Sequence, residues 1–357
     1  MTGVRARGED VRRFILQNVD NHPMDISKVV ADKFGITRQA VNKHLQRLVT
    51  ENAITESGQT RNRIYKLATL TEWRESYPIK PGLAEDQVWR DDITKVLGEM
   101  PDNVMGIWQY GFTEMFNNAI DHSSGTEIYV RIKKTAADTE IVVSDDGVGI
   151  FKKIQHEMNL LDERHAILEL TKGKLTTDPS NHSGEGIFFS SRMFDDFNIL
   201  SGGVYFRHKF GDHADWILER DKFNSGTSVW MELNNHTSRT TKKIFDSFST
   251  DDNYGFTKTV VPVDLARYGN ENLISRSQAK RMLARVELFK TVILDFDGVP
   301  SIGQAFADEI YRVFPIRHPE VELITVKASS EVQQMINRAQ SGQDSNGGAK
   351  ASGPSNE

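Results

Sequence analysis

The chain has 357 residues and a net charge of −6; 38% of its residues are hydrophobic and 26% charged, as in ordinary globular proteins. It contains no cysteine, which excludes disulfides, zinc-thiolate sites and thiol nucleophiles, and its ten histidines form no HExxH-like pair. No apolar run approaches the roughly 18 residues of a membrane span or resembles a secretory signal, so we expect a cytoplasmic protein without a membrane contact.

The charge is unevenly distributed along the chain. Residues 1–68 contain twelve Lys or Arg against seven Asp or Glu, a net charge of +5, which leaves −11 on the remainder. A basic N-terminal module on an acidic body indicates a local contact with a polyanion.

Hydrophobic periodicity and composition divide the chain into segments. The two ends, 1–8 and 339–357, are expected to be disordered, the latter because it is rich in Gly and Ser. The remaining segments are a helical module with a strand pair, a Pro-containing linker and two α/β domains, at 9–70, 71–83, 84–236 and 253–338.

The N-terminal module shows two helical patterns separated by a glycine. The stretch MDISKVVADKFG has a stop signal at Gly35, and the next helix has an N-cap at Thr37. AITESGQTRNRIYKL then alternates around the Ser57-Gly58 turn, which predicts a β-hairpin. Residues 9–70 therefore resemble the winged helix-turn-helix family.

The second helix of this module and the hairpin carry side chains that suit base edges and phosphates. They are Arg38, Gln39, Asn42, Lys43 and Arg47 on the helix, with Arg61 and Arg63 on the wing. The resemblance implies DNA binding. A solvated basic face on a protein-docking or dimerisation module remains the alternative, and a homodimer is left open.

The central domain begins its motifs with FTEMFNNAIDHS. Glu114, Asn118 and His122 are spaced by four and share one helix face. A carboxylate and an amide one turn apart can hold a hydrated Mg²⁺, which prefers sparse oxygen ligation combined with phosphates. The alternative is an amphipathic helix with a polar surface. The packed side is Met115, Phe116, Ala119 and Ile120.

Two further motifs contain glycines that permit close backbone approach. In EIVVSDDGVGI an apolar strand runs into Asp145, Gly147 and Gly149, where a carboxylate can accept from an adenine amino group. In NHSGEGIFFSSRMFD the pair Gly184 and Gly186 opens a predicted helix, whose free N–H groups can cradle phosphate.

A last match, SGTSVWMEL, places Thr227 at the head of an alternating strand. The order of the four motifs resembles the GHKL ATPase superfamily of gyrases, mismatch-repair ATPases, sensor histidine kinases and anti-sigma serine kinases. The resemblance implies a helix-covered sheet that binds ATP and Mg²⁺. It also implies that Asn118 ligates Mg²⁺, that Asp145 contacts adenine with support from Thr227, and that Gly184 and Gly186 approach the phosphates.

The same resemblance makes residues 151–183 a mobile lid. Lys172 or Lys174 would pair with the γ-phosphate, although a solvated surface lysine is an equal alternative; we select Lys174 as the candidate. Glu114 would be the general base of a hydrolase or would activate the acceptor hydroxyl of a kinase. Hydrolysis, transfer and simple binding remain open.

The C-terminal segment alternates strands and helices, which predicts a small α/β domain. SRSQAKRMLARVELF is expected to be one helix, and SIGQAFADEIYRVF to be a helix capped by Ser301. VILDFDGVPSIGQAFADEIYRVF resembles STAS-like domains related to anti-anti-sigma factors. The hydroxyl phosphorylated in those factors is missing at Gly303-Gln304-Ala305, and the DxD pair of Asp295 and Asp297 lacks the rest of a phosphatase motif set.

The sequence thus predicts an α/β multi-domain protein: a winged helix-turn-helix, a GHKL-type α/β sandwich and a small α/β STAS-like domain. The favoured function is an ATP-binding, DNA-binding transcriptional regulator with a Mg-ATP switch and a protein partner at the STAS-like domain. The alternatives are a serine/threonine protein kinase of the anti-sigma type and a slow ATPase.

Overall fold

A computed structural model describes residues 2–59, 62–175, 184–212, 215–249, 255–267 and 271–341. The chain divides into two units. Unit 1 consists of Met1–Val148, Met193–Ile199 and Ser225–Thr241, and unit 2 of Gly149–Arg192, Leu200–Asn224 and Lys242–Glu357. Among the described residues, no helix combines the length and the apolar character needed to cross a membrane.

Residues 2–67, which we call the head, contain helices followed by an antiparallel strand pair in their described part. The elements are α1 Thr2–Asn18, α2 Ile26–Phe34, α3 Arg38–Thr50, β1 Ile54–Ser57 and β2 Ile64–Leu67. Helix α2 ends where Gly35 adopts a φ of 61°, and Thr37 Oγ1 accepts from Ala40 N at 3.2 Å, as the sequence predicts for an N-cap. Helix α1 includes residues 2–8, which differs from the expected disorder there.

The head has its own hydrophobic core because each helix buries one apolar stripe. On α3 the buried residues are Val41, Leu45 and Leu48. They pack with residues of α1, α2 and the strand pair, including Val11, Ile15, Val30, Ile54 and Tyr65.

The main sheet of the described chain has the strand order β3-β4-β5-β7-β6. Its strands are β3 Thr71–Pro78, β4 Glu127–Lys134, β5 Asp138–Asp145, β6 Asp196–Lys209 and β7 Trp216–Asn234. Strand β3 pairs antiparallel with β4, although residues 71–83 were predicted to be a linker. Pro78 closes this edge strand, where a missing N–H is tolerated.

Helices of unit 1 cover this sheet. They are α4 Glu85–Val88 and α5 Thr94–Leu97, joined by the π-helical turn Trp89–Ile93, and α6 Asp102–His122. Helix α6 packs on β4 and β5, and the ring centroid of its Trp108 lies 4.8 Å from that of Phe194. A Cβ at Gly111 would lie 2.4 Å from the Phe194 ring, so this close packing requires glycine.

Unit 2 includes α7 Ile150–Glu157, α8 Glu163–Lys172, and all but one residue each of α9 Gly186–Met193 and α10 Thr241–Ser247. Its C-terminal part holds a parallel sheet of β8 Lys258–Pro262, β9 Thr291–Asp295 and β10 Glu322–Val326, with β9 in the middle. The helices that alternate with these strands are α11 Arg276–Met282, α12 Gln304–Asp308, α13 Phe314–Arg317 and α14 Ser330–Ser341. The predicted α/β class is confirmed.

The C-terminal helices differ from prediction in three places. Helix α11 ends at Met282 because Arg285 adopts a φ of 65°, and only a short 3-10 turn follows. Ser301 is not a helix cap: the next helix begins at Gln304, because Ile302 forms a bridge with Leu273. Helix α14 extends into the predicted tail as far as Ser341, and residues 342–357 lie outside the described part.

Candidate nucleotide site

Asp145 is the last residue of β5, and its carboxylate organises the turn that follows. Its Oδ1 accepts from Gly147 N at 2.9 Å and from Thr227 N at 3.2 Å, and the Thr227 side chain also bonds this carboxyl. A carboxylate has about four acceptor positions, so these three donors leave capacity for one more. The structure therefore brings together three predicted site residues and fixes the orientation of Asp145.

The surroundings of Asp145 influence its protonation. The residue is half-buried, and burial raises the pKa of its carboxyl, while the N–H groups of Gly147 and Thr227 act in the opposite direction. Acidification should therefore protonate Asp145 at a higher pH than an exposed aspartate.

Two glycines allow the backbone to close around this carboxylate. A Cβ at Gly147 would lie 2.0 Å from Ser123 O, which also accepts from Val148 N at 2.9 Å. Gly226 has a φ of 77°, and a Cβ there would lie 1.9 Å from Asp145 O. The end of α6 and the middle of β7 thus meet the Asp145 turn at backbone distance.

Helix α6 ends beside this turn, and its polar residues lie at increasing distances from the turn along the helix. Glu114, Asn118 and His122 are half-buried on one face, while Met115, Phe116 and Ala119 are buried on the other. Ser123 touches Gly147, so at 1.5 Å per residue Asn118 lies about 7.5 Å back along the helix axis and Glu114 about 13.5 Å. Asn118 is thus the nearer of the two to Asp145 along α6.

Sequence reasoning missed the neighbouring Asp146, which fixes the turn from its other side. Its Oδ1 accepts from Thr126 N at 2.7 Å and Glu127 N at 3.0 Å, and its Oδ2 from Thr126 Oγ1 at 2.6 Å. These donors, the Thr126 hydroxyl first, lower the pKa of Asp146. No local pattern could have revealed this role, because the donors on Thr126 and Glu127 lie 20 and 19 residues earlier in the chain.

The remaining predicted glycines, Gly149, Gly184 and Gly186, belong to unit 2. Gly149 directly precedes α7 with a φ of 87°, and Gly186 is the first residue of α9. Gly184 O accepts from Leu175 N at 3.1 Å. The segment between Leu175 and Gly184 lies outside the described residues.

The two candidate lysines of the lid are both engaged within unit 2. Lys172 has no solvent exposure, so the alternative of a solvated surface lysine does not hold for it. Its Nζ donates to Glu169 Oε1 at 2.6 Å and to Ala284 O at 2.8 Å. Lys174 Nζ donates to Leu288 O at 2.9 Å.

The predicted nucleic-acid residues lie on the head. Arg63 is partly exposed, and it lies 3.4 Å from the Tyr65 hydroxyl and 3.7 Å from Glu56, while Arg61 is outside the described residues. The remaining five are exposed on α3: Arg38, Gln39, Asn42, Lys43 and Arg47.

Two segments of the chain match models of known protein families. Residues 108–237 match the family described as "Histidine kinase-, DNA gyrase B-, and HSP90-like ATPase". These residues form a GHKL-type ATPase domain. Residues 278–333 match a STAS-like domain of unknown function (DUF4325). No curated protein matches the chain.

Domains of this GHKL type generally bind ATP with Mg²⁺. Asp145 is a half-buried acceptor held in one orientation, and it has capacity for a further donor such as an exocyclic amino group. The match spans residues of both units, from α6 through α7 and α8 to β7. The STAS-like match begins within α11 and lies wholly in unit 2.

Proposed function

We propose that the chain is an ATP-binding regulator whose GHKL-type domain holds Mg-ATP and whose head binds DNA. The oriented Asp145 carboxylate carries the nucleotide half of this proposal, because Gly147 and Thr227 hold it as an acceptor at the end of a strand. When bound, Mg-ATP supplies a compact polyanion whose charge requires cationic or N–H partners.

Each predicted site residue has a role in this proposal. Asp145 accepts from the adenine amino group, and Thr227 supports the adenine end. Asn118, on the polar face of α6, ligates Mg²⁺ through its amide oxygen. The backbone of Gly184 and Gly186 and the ammonium of Lys174 approach the phosphates. Gly147 and Gly149 permit close backbone approach to the nucleotide.

Titration with Mg²⁺ and a non-hydrolysable ATP analogue tests the nucleotide site. Asp145→Asn keeps an oxygen for Gly147 and Thr227 and turns an amide donor toward the ligand, so we expect affinity to fall about tenfold to a hundredfold. Asp138→Asn removes a charge at the other end of β5 and is the matched control. Equal affinity in the two variants would contradict the adenine role of Asp145.

The DNA half of the proposal rests on the exposed polar face of α3. This helix follows α2 after a short turn at Gly35, and the β1–β2 pair comes next, an order that supports the winged helix-turn-helix interpretation. Arg, Lys, Gln and Asn on one exposed helix face are the side chains that contact bases and phosphates. The partner proposed here is therefore double-stranded DNA.

Selection from a pool of random-sequence duplexes, followed by affinity measurement over a salt series, tests DNA binding. Arg38→Ala and Lys43→Ala should each weaken binding, and a lost phosphate contact should lower the salt slope by about one. Lys28→Ala, an exposed lysine on α2, is the control. Failure to enrich any sequence, together with no salt dependence, would favour a protein-docking head.

Regulation requires that DNA affinity depend on the nucleotide. The selected duplex should bind with a different affinity when Mg²⁺ and the ATP analogue are present, and this difference should disappear in Asp145→Asn. Identical affinities with and without bound analogue would separate the two binding activities and end the regulatory proposal.

Glu114 favours a second candidate, hydrolysis or transfer of the γ-phosphate. It lies one turn before Asn118 on the same face of α6, where a carboxylate can orient a water or an acceptor hydroxyl. Incubation with γ-labelled ATP and Mg²⁺ separates the outcomes. Released phosphate indicates an ATPase and labelled protein a kinase, and Glu114→Gln should abolish either; intact ATP leaves the nucleotide as a regulatory ligand.

A further inference from the structure

The C-terminal end of α8 is fixed to the STAS-like domain by a buried charge cluster. Lys172 donates to Glu169 Oε1 at 2.6 Å, to Ala284 O at 2.8 Å and to Arg281 O at 3.4 Å. Arg285 Nη1 donates to Glu169 Oε2 at 3.0 Å. The carboxylate of Glu169 therefore lies between two cations, one from α8 and one from the segment after α11.

This cluster lies where the predicted long helix ends, after Met282. Carbonyls at a helix end lack partners inside the helix, and a buried ammonium can satisfy them. Lys172 supplies that ammonium to Arg281 O and Ala284 O. A buried ion pair is costly unless its remaining bonding positions are filled, and here the lysine makes three bonds. The arrangement therefore specifies one position for the end of α8.

The following residues are tied to the same domain. Lys174 Nζ donates to Leu288 O at 2.9 Å and lies 4.7 Å from the centroid of the Phe289 ring. Arg285 Nη2 donates to Lys174 O.

The backbone of residues 172–174 is also contacted by side chains from unit 2. Thr259 Oγ1, on β8, donates to Lys172 O at 2.6 Å. A Cβ at Gly173 would lie 2.6 Å from the Phe256 ring. Contacts from β8, the end of α11 and the aromatic residues beside them thus converge on three consecutive residues.

We propose that the STAS-like domain is a clasp that holds the lid segment, residues 163–175, and withholds Lys174 from the nucleotide. This inference rests on the proposed nucleotide site, since Lys174 is the cation assigned to phosphate there. The same ammonium cannot serve both Leu288 O and a phosphate, so holding the clasp and binding the nucleotide compete. By thermodynamic linkage, bound nucleotide weakens the clasp by the same factor that the clasp weakens nucleotide binding.

The clasp also gives the STAS-like domain a regulatory task that needs no phosphorylatable hydroxyl. A protein partner that displaced the Arg285 region would release the lid segment. Nucleotide affinity would then report the occupancy of the STAS-like domain.

Arg285→Ala in the full chain tests the clasp, with Arg276→Ala, an exposed arginine at the start of α11, as the control. Two quantities are measured: hydrogen exchange of the backbone amides of residues 163–175 without nucleotide, and affinity for Mg²⁺ with a non-hydrolysable ATP analogue. We expect faster exchange and affinity higher by about tenfold, within the usual range of coupling between sites. Arg276→Ala should change neither.

Lys174→Ala combined with Arg285→Ala separates the clasp from a general loosening of the fold. If the clasp acts by withholding Lys174, the gain in affinity disappears in the double variant, whereas exchange stays fast. Phe289→Leu keeps the ion pair and removes the ring beneath Lys174, so it should give a smaller gain in analogue affinity. This variant replaces Arg285→Ala in the test if Arg285→Ala does not fold.

The outcomes distinguish this inference from the proposed function. Faster exchange with unchanged or lower affinity would overturn the clasp while leaving ATP binding intact. If neither the wild-type chain nor the variants bind the analogue, the proposed nucleotide site is wrong. The proposed control of that site by the clasp is then wrong as well.

Discussion

The Asp145 turn in unit 1 and the Lys172 cluster in unit 2 handle charge in opposite ways. Asp145 is held by backbone N–H groups and the Thr227 side chain, with no cation among these partners. Lys172 is enclosed by a carboxylate and two carbonyls and has no exposed surface. Both residues lie within the GHKL-type match, yet only Asp145 keeps capacity for an external donor.

The difference indicates how to separate a binding residue from a structural one. A binding side chain is oriented by partners that leave some of its capacity unused, whereas a structural one has its charge neutralised inside the protein. Removing a partner of each kind should therefore change stability and binding to different extents.

The largest effect is expected at the buried carboxylate. Glu169→Ala would leave the Lys172 ammonium buried without its counter-charge, so the free energy of unfolding should fall by about 3–5 kcal/mol. Urea denaturation measures this change. Glu157→Ala, at an exposed position on α7, should cost less than about 0.5 kcal/mol. Similar losses in both variants would mean that the buried pair stabilises the chain no more than an exposed carboxylate does.

A smaller loss is expected where backbone crowds the Asp145 turn. Gly147→Ala would place a methyl group 2.0 Å from Ser123 O, and the forced shift should destabilise the chain by about 1–3 kcal/mol and weaken analogue binding. Gly106→Ala, within α6 where nothing lies within 4 Å, should instead stabilise it by about 0.5–1 kcal/mol. Thermal or urea unfolding of the two variants shows whether each one gains or loses stability. A loss of stability in both variants would refute the crowding argument.

A third prediction uses pH. Burial raises the pKa of Asp145 above its ordinary value of 3.8, so the folded state holds this proton more tightly than the unfolded state. Its contribution to stability is therefore full below pH 3.8 and is lost as the pH rises through the raised pKa. Analogue affinity should change in the opposite direction, because the ionised carboxylate is the stronger acceptor for the adenine amino group.

Titrations from about pH 4 to pH 8 on wild type and Asp145→Asn measure this dependence. The ratio of their affinities should shrink as the pH falls, which removes the analogue's own titration from the comparison. A ratio independent of pH would mean that the charge of Asp145 plays no part in binding.

The smallest change in stability is expected at an exposed pair of almost the same length as the buried one. Arg47 Nε lies 2.7 Å from Glu51 Oε1 on the surface of α3, against 2.6 Å for Lys172 and Glu169. Arg47→Ala should alter the free energy of unfolding by less than about 1 kcal/mol, since solvent screens the pair. Its DNA affinity should nevertheless fall; a stability loss as large as that of Glu169→Ala would contradict the distinction between the sites.

Local patterns predicted much of this structure. The spacing of Val41, Leu45 and Leu48 predicts α3, and the Thr37 cap was predicted correctly. The motif order also brought Asp145 together with Thr227, which lies 82 residues later. Periodicity alone could not have paired them; the superfamily resemblance supplied that information.

The errors arose where distant contacts override local signals. Arg285 lies inside an apparently uninterrupted helix pattern, yet it leaves helical geometry to meet Glu169, 116 residues earlier. Prolines at 78 and 81 suggested a linker, whereas pairing with β4 makes residues 71–78 a strand. Neither contact leaves a periodic trace in the sequence.

Strand β3 determines where the chain can be divided. It begins four residues after the end of β2 and pairs with β4 along its whole length, so the head leads directly into the sheet. A fragment that starts after the presumed linker would discard the edge strand and leave the unpaired N–H and C=O groups of β4 open to other chains, a known route to aggregation. Removal of the head should therefore be made before Thr71, and heads exchanged between similar proteins should be joined at the same place.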